Sequence, residues 1–159
     1  MRLEGCAELI LWGRETQRNL SIAYNNRGLA YEVMRDHDEA IADFDEAIRL
    51  DPKFAHAMYN RGISYVAKGD YERAIASFTD AIRVDPKYAL ALDSRGSAYR
   101  SKGDYENAIA DYSAAIKADP TSVYAYNRRA DAYLALGDKD RAAADLRAAR
   151  SHFHFRFQK

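Results

Sequence analysis

YNRGISYVAKGDYERAIASFTDAIRVDP, residues 59–86, decides how the rest of the chain is read, because its pattern of residue sizes recurs every 34 residues. Gly62, Tyr65, Gly69, Asp70, Ala74, Phe78, Ala81 and Pro86 stand 34 residues after Gly28, Tyr31, Arg35, Asp36, Ala40, Phe44, Ala47 and Pro52. The same spacing leads on to Gly96, Tyr99, Gly103, Asp104, Ala108, Tyr112, Ala115 and Pro120. A weaker copy follows at Ala130, Tyr133, Gly137, Asp138, Ala142, Leu146, Ala149 and His154.

Each unit carries two amphipathic helices. Met58, Arg61, Gly62 and Tyr65 fall at i, i+3, i+4, i+7, and Ala74, Phe78, Ala81 and Ile82 at i, i+4, i+7, i+8. Gly69 supplies a left-handed residue that ends the first helix, and Asp70 supplies a side-chain oxygen that caps the second. A link this short makes the two helices antiparallel. Small residues at Gly62, Ala74 and Ala81 admit close backbones while Tyr65 and Phe78 fill the space beside them. The resulting core is too thin to stand alone, so neighbouring units must cover each other.

Numbered from Ser21, the units place small residues and aromatics at positions 8, 11, 20, 24 and 27, and Pro at 32. This pattern resembles the tetratricopeptide repeat, which implies an all-α fold, a right-handed α-solenoid of antiparallel helix pairs used for protein–protein recognition. The chain departs from the family at position 4, where Tyr24, Met58, Leu92 and Tyr126 replace the usual Trp. At position 7, Arg27, Arg61, Arg95 and Arg129 replace the common Leu. The expected organisation is a half-repeat or capping helix with a loop over 1–20, repeats over 21–54, 55–88, 89–122 and 123–152, and an aromatic, basic tail over 153–159. Helices are expected at 21–34, 37–50, 54–68, 71–84, 88–102, 105–118, 122–136 and 139–152.

The 159 residues carry 24 Lys plus Arg against 24 Asp plus Glu, a formal charge of zero, so nucleic acid is not an expected partner. With 8 Gly and 3 Pro there is no low-complexity linker, and the array is expected to be continuous. Cys6, the single cysteine, excludes an intramolecular disulfide and suits a reducing compartment. Glu4 and Glu8 interrupt what would be the apolar core of a signal peptide, and no apolar run is long enough for a membrane helix. The expectation is a cytoplasmic protein with no membrane partner.

Residues 4–12 align weakly with the second helix of a repeat. They are read either as a cap on the first unit or as the remnant of a cut repeat that leaves Leu9, Ile10 and Trp12 partly exposed. Residues 13–19 are polar and read as loop. Ile41, Ile48, Ile75, Ile82, Ile109 and Ile116 are expected to pack forward onto the next unit, whereas Ala143 and Arg150 stand there in the last one. A more polar outer face of that kind befits a terminal repeat. Beyond it, Phe153, Phe155 and Phe157 alternate with a period of two, as a tail that either folds back or docks in a neighbour. Self-association through Trp12 or these phenylalanines is the alternative to a peptide-binding role.

With positions 4, 7, 8 and 11 facing the core, positions 2, 5, 6, 9 and 13 lie on the opposite side of each first helix. Stacked units would turn these faces into a concave groove. Its candidate peptide-binding residues are Asn25, Asn26, Leu29 and Val33; His56, Tyr59, Asn60 and Ile63; Leu90, Asp93 and Ser94; and Tyr124, Asn127, Arg128 and Asp131. Leu29, Val33, Tyr59 and Ile63 are apolar where solvent is expected, and Asn26 and Asn60 can both donate to and accept from a peptide backbone. The implied partner is an extended or helical protein segment.

Some members of the family clamp a partner's C-terminal carboxylates with Lys at position 5, Asn at 9, Asn at 6 of the next unit, then Lys at 2 and Arg at 6. Asn25, Leu29, Asn60, Leu90 and Ser94 occupy those positions here. Only Asn60 agrees, so acidic C-termini are not the expected ligand. The four position-7 arginines invite an anion-binding stripe, but Asp43, Asp111 and Asp145, with Ser77 in the remaining unit, face them from position 23. An internal Arg–Asp pair is the favoured reading, and coordinates should place each Arg at an acid of its own unit. No HExxH, phosphate loop or GxSxG occurs, so neither catalytic nor cofactor-binding residues are expected. His152 and His154 have no third ligand to make a metal site.

Overall fold

The computed structural model describes the backbone of residues 16–156 and the side chains of residues 16–152. Among them every regular element is an α-helix: α1 Gln17–Met34, α2 His37–Leu50, α3 Ala55–Ala67, α4 Tyr71–Val84, α5 Ala89–Ser101, α6 Tyr105–Ala118, α7 Val123–Ala135 and α8 Lys139–Arg156. The six inner helices end within one residue of their expected bounds.

The outer two differ. Where a loop was expected over 13–19, α1 starts at Gln17, because the Thr16 side chain caps it by accepting the Asn19 N–H at 3.3 Å. At the other end α8 runs on to Arg156, so the expected tail is helical through that residue. Alternating phenylalanines specify a strand only where another strand offers a ladder. A segment that follows a formed helix adds one hydrogen bond per residue by continuing it. Trp12, Phe157 and the Cys6, Leu9 and Ile10 face lie outside the described residues.

The turns inside each repeat follow the sequence. Gly69, Gly103 and Gly137 adopt φ of 75°, 81° and 80°, which ends the first helix in the left-handed region. Arg35 takes the same conformation at φ 65° without glycine's freedom. Asp70, Asp104 and Asp138 accept the N–H of Arg73, Asn107 and Arg141 at 3.0, 3.1 and 3.0 Å. Hydrogen bonds favour the charged carboxylate and hold all three below the ordinary aspartate value: for Asp104 chiefly the side-chain bond from Asn107 and then its backbone N–H, for Asp70 and Asp138 chiefly the backbone N–H and then the Arg73 or Arg141 side chain. Asp36 makes no such side-chain bond.

The chain divides after Asp85 into two compact units. In the first, α1 packs on α2, α2 on α3 and α3 on α4, while α1 also meets α3. In the second, α5 packs on α6, α6 on α7 and α7 on α8, and α5 meets α7. First helices therefore lie side by side within each unit.

What sets the closeness of each hairpin is the glycine at position 8 and the ring at position 24. Phe44, Phe78 and Tyr112 are fully buried. A Cβ on Gly28, Gly62 or Gly96 would come within 2.7, 2.5 or 2.8 Å of those rings, a distance at which something must move. The fourth repeat changes both members together. Ala130 replaces the glycine and Leu146 the ring, and Leu146 is 44% exposed where its counterparts are sealed. Ile109 packs on the Ala108, Tyr112 and Ala132 cluster and on Ala130, Tyr133 and Ala142 of the following repeat, as expected of a forward-packing residue.

Candidate functional site

At the border of each hairpin core the position-7 arginines find acids. Arg27 binds Asp43 through Nε and Nη2 at 2.7 and 2.6 Å; Arg95 binds Asp111 at 2.7 and 2.7 Å; Arg129 binds Asp145 at 2.8 and 2.7 Å. These two-point bonds raise all three guanidinium groups above their ordinary value, against the desolvation that burial brings. Arg61, which faces Ser77 at 3.0 Å, reaches Asp80 of its own repeat at 3.2 Å and Asp45 of the preceding one at 2.7 Å. The arginines are internal, and an anion-binding stripe does not form.

On the first unit, the outward face of α1 and α3 holds the candidates in two groups. Ile22, Leu29 and Val33 are exposed, Val33 at 86%, as are Asn26 and His56. Tyr59, Asn60 and Ile63 are half-buried, and the Tyr59 ring lies 5.8 Å from Phe78 at 44°. Asn25, expected on the open surface, is 7% exposed. Its Oδ1 accepts from Asn60 Nδ2 at 2.9 Å, a bond that joins the two first helices. Asn60 keeps a second N–H and its carbonyl oxygen for other work. One turn further along, Ser64 donates to Glu32 Oε1 at 2.6 Å, and His37 Nδ1 lies 3.0 Å from that oxygen. This cross-repeat link escaped the sequence reading, which treated each unit alone.

On the second unit, Leu90 and Tyr124 are exposed, Tyr124 at 74%, and Asn127 and Asp131 are exposed with them. Arg128 Nη1 donates to Asp93 Oδ2 and to Ser97 Oγ, the latter at 3.0 Å. Ser97 in turn donates to the Asp93 carbonyl oxygen at 2.9 Å and lies 3.2 Å from the Tyr112 hydroxyl. Burial pushes the Tyr112 phenol up. Asp93 Oδ1 is buried and has no hydrogen-bond partner. Burial raises the Asp93 carboxyl above its ordinary value, and the Arg128 charge offsets this only in part. Ser94 is half-buried, and Arg100 meets Asp131 at 3.3 Å.

Of the residues considered for self-association, Phe153 and Phe155 lie on α8, while His152 stacks on Tyr126 with centroids 5.7 Å apart. Among the described residues no group of three or more His, Cys, Asp or Glu side chains is placed to hold a metal ion. No described helix is long and apolar enough to cross a membrane.

Antiparallel helix pairs repeated along the chain, three of them closed by a glycine against a ring, define an α-hairpin repeat protein. A family model for the tetratricopeptide repeat matches residues 25–89, 59–123 and 94–154, and the chain belongs to that family. No curated protein matches it. Among solved structures, the crystal structure of MamA is similar with a TM-score of 0.90 at 22% identity, over 99% of this chain and 90% of that one. The first TPR of Spaghetti (RPAP3), bound to the HSP90 peptide SRMEEVD, is similar at 0.73 and 23% identity, over 77% of this chain and 96% of that one. The second TPR of that protein, bound to the same peptide, is 33% identical with a TM-score of 0.59, over 62% and 92%. The fold is the all-α, tetratricopeptide-like solenoid.

Proposed function

We propose that the chain is a non-enzymatic scaffold that captures a segment of another protein on the outward face of its first helices. The observation that carries this is the exposed apolar row on α1: Ile22, Leu29 and Val33, at spacings of seven and four residues, with Asn26 exposed among them. A row of that kind on a rigid helix offers apolar contact to a ligand's side chains, while exposed amides serve a ligand's backbone. Tyr59 and Ile63, half-buried beside the row on α3, extend it.

The RPAP3 repeats are bound to a peptide that ends in Asp. Here the clamp positions hold Asn25, Leu29, Leu90 and Ser94, and Asn25 is already joined to Asn60. The ligand read by this chain therefore differs, and SRMEEVD is expected not to bind. Selection of a displayed random peptide library on the immobilised chain is expected to enrich uncharged or apolar segments. Their capture should fall at least about tenfold when Leu29→Glu and Val33→Glu are combined, with the helical melt unchanged. Selected peptides held equally by both proteins would overturn the assignment to this face.

A further inference from the structure

We propose that Asp93 anchors a lysine-binding subsite on the second unit, taking the ammonium group of a partner segment on Oδ1 and its aliphatic stem on Leu90 and Tyr124. The proposal rests on the reading of the chain as a segment binder and adds the chemistry of one residue of that segment.

Three observations converge on it. First, Asp93 Oδ1 is a buried carboxylate oxygen without a donor, while Oδ2 is held by Arg128. Buried acceptors are nearly always satisfied, and the donor of a ligand is one group that can complete an orphan of this kind. Second, Arg128 holds Asp93 through Oδ2, and burial, which raises the carboxyl, is offset by that charge only in part. Asp131, exposed three residues along α7 from Arg128, adds a second carboxylate, paired with Arg100 at 3.3 Å. Third, Leu90 precedes Asp93 by three residues and Tyr124 precedes Arg128 by four, so both stand on the same helix faces as the ion pair, and both are exposed. An apolar body ending in a single cation matches that order of surfaces.

The geometry also selects among cations. Arginine's fork wants two carboxylate oxygens, and one of the two is occupied; an ammonium is a point donor that needs one. Access runs past Arg128, whose side chain is 39% exposed and held at one nitrogen, and Asp93 itself retains 18% exposure. Oδ1 itself is buried, so the proposed subsite requires Arg128 to swing aside when the ammonium enters.

The test uses the full chain, immobilised, and four pools of acetylated, amidated nonapeptides. The central residue is Lys, Arg, acetyl-lysine or norleucine, and the remaining positions are uncharged. The lysine pool is expected to be retained about tenfold better than the acetyl-lysine and norleucine pools. The preference should vanish in Asp93→Asn, which keeps the shape of the side chain, and survive in Glu39→Gln, which removes an exposed carboxylate on the other unit. Arg128→Gln, which removes the competing cation, should strengthen it. Equal retention of the lysine and acetyl-lysine pools, or a lysine preference that survives Asp93→Asn, overturns the subsite. Pools retained alike, and lost alike in Leu29→Glu, would sink this inference while leaving the segment-binding reading in place. Retention of none would sink both.

Discussion

The two units carry the same cross-repeat bridge in two chemistries. Asn60 Nδ2 meets Asn25 Oδ1 across 35 residues in the first, and Arg128 Nη1 meets Asp93 Oδ2 across 35 residues in the second. Position 6 of one repeat reaches position 5 of the repeat before it in both. Around the neutral bridge the exposed side chains include Ile22, Leu29 and Val33 beside Asn26 and His56; around the charged one they include Asp131 and Asn127 beside Leu90 and Tyr124. A common backbone register thus tolerates either amide or ion pair.

The sharpest way to break this comparison lies beneath the faces, at position 7. Asp145→Ala removes both carboxylate oxygens from Arg129, a side chain only 19% exposed. The expected cost is about 2 kcal/mol, since an inward-facing cation loses its charge partner. Ser77→Ala in the first unit should cost less than about 1 kcal/mol, because Arg61 retains Asp45 and Asp80. Urea denaturation of both variants checks the contrast, and equal losses would mean that the arginines do not depend on their acids.

Next in size is position 8. Gly62→Ala drives a methyl to 2.5 Å from Phe78 Cε1, and about 1–2 kcal/mol should be lost despite alanine's better helix propensity. The reverse change in the last repeat, Ala130→Gly, should also destabilise, by about 1 kcal/mol, because no ring awaits the vacated space. Amide exchange in α3 and α7 distinguishes them, and a stabilised Gly62→Ala would show that the hairpin has slack.

The smallest expected effect is electrostatic. Asp93 holds its proton more tightly in the folded chain than the ordinary 3.8 of an exposed aspartate. Its titration therefore favours the folded state as pH falls through the folded value, levels off below 3.8, and is lost as pH rises. Measured against Asp93→Asn, which does not titrate, wild type should gain relative stability toward acid. Relative stability that falls toward acid instead would place the Arg128 attraction above the cost of burial.

Much of this was legible in the residues. Period, caps and the glycine–aromatic pairs are local or fall at fixed offsets inside one repeat, so Gly69, Asp70 and the Arg27–Asp43 pair could be read without coordinates. The Asn25–Asn60 and Asp93–Arg128 bridges could not, because they join different repeats and become visible only when α1 is laid beside α3 and α5 beside α7. Asn25 therefore looked open to solvent when it is 7% exposed. The end of the last helix was misplaced for a different reason: the two-residue spacing of Phe153 and Phe155 gives no helical signal, yet α8 continues through Arg156.

The glycine and the ring it accommodates sit sixteen residues apart in one block, Gly62 with Phe78 and Gly96 with Tyr112. Shuffling complete blocks carries the fit along, whereas a crossover between the two helices of a block can seat Tyr112 against Ala130. Any lengthening of this array by gene duplication, or by an engineer, must cut at the proline junctions and leave the hairpins whole.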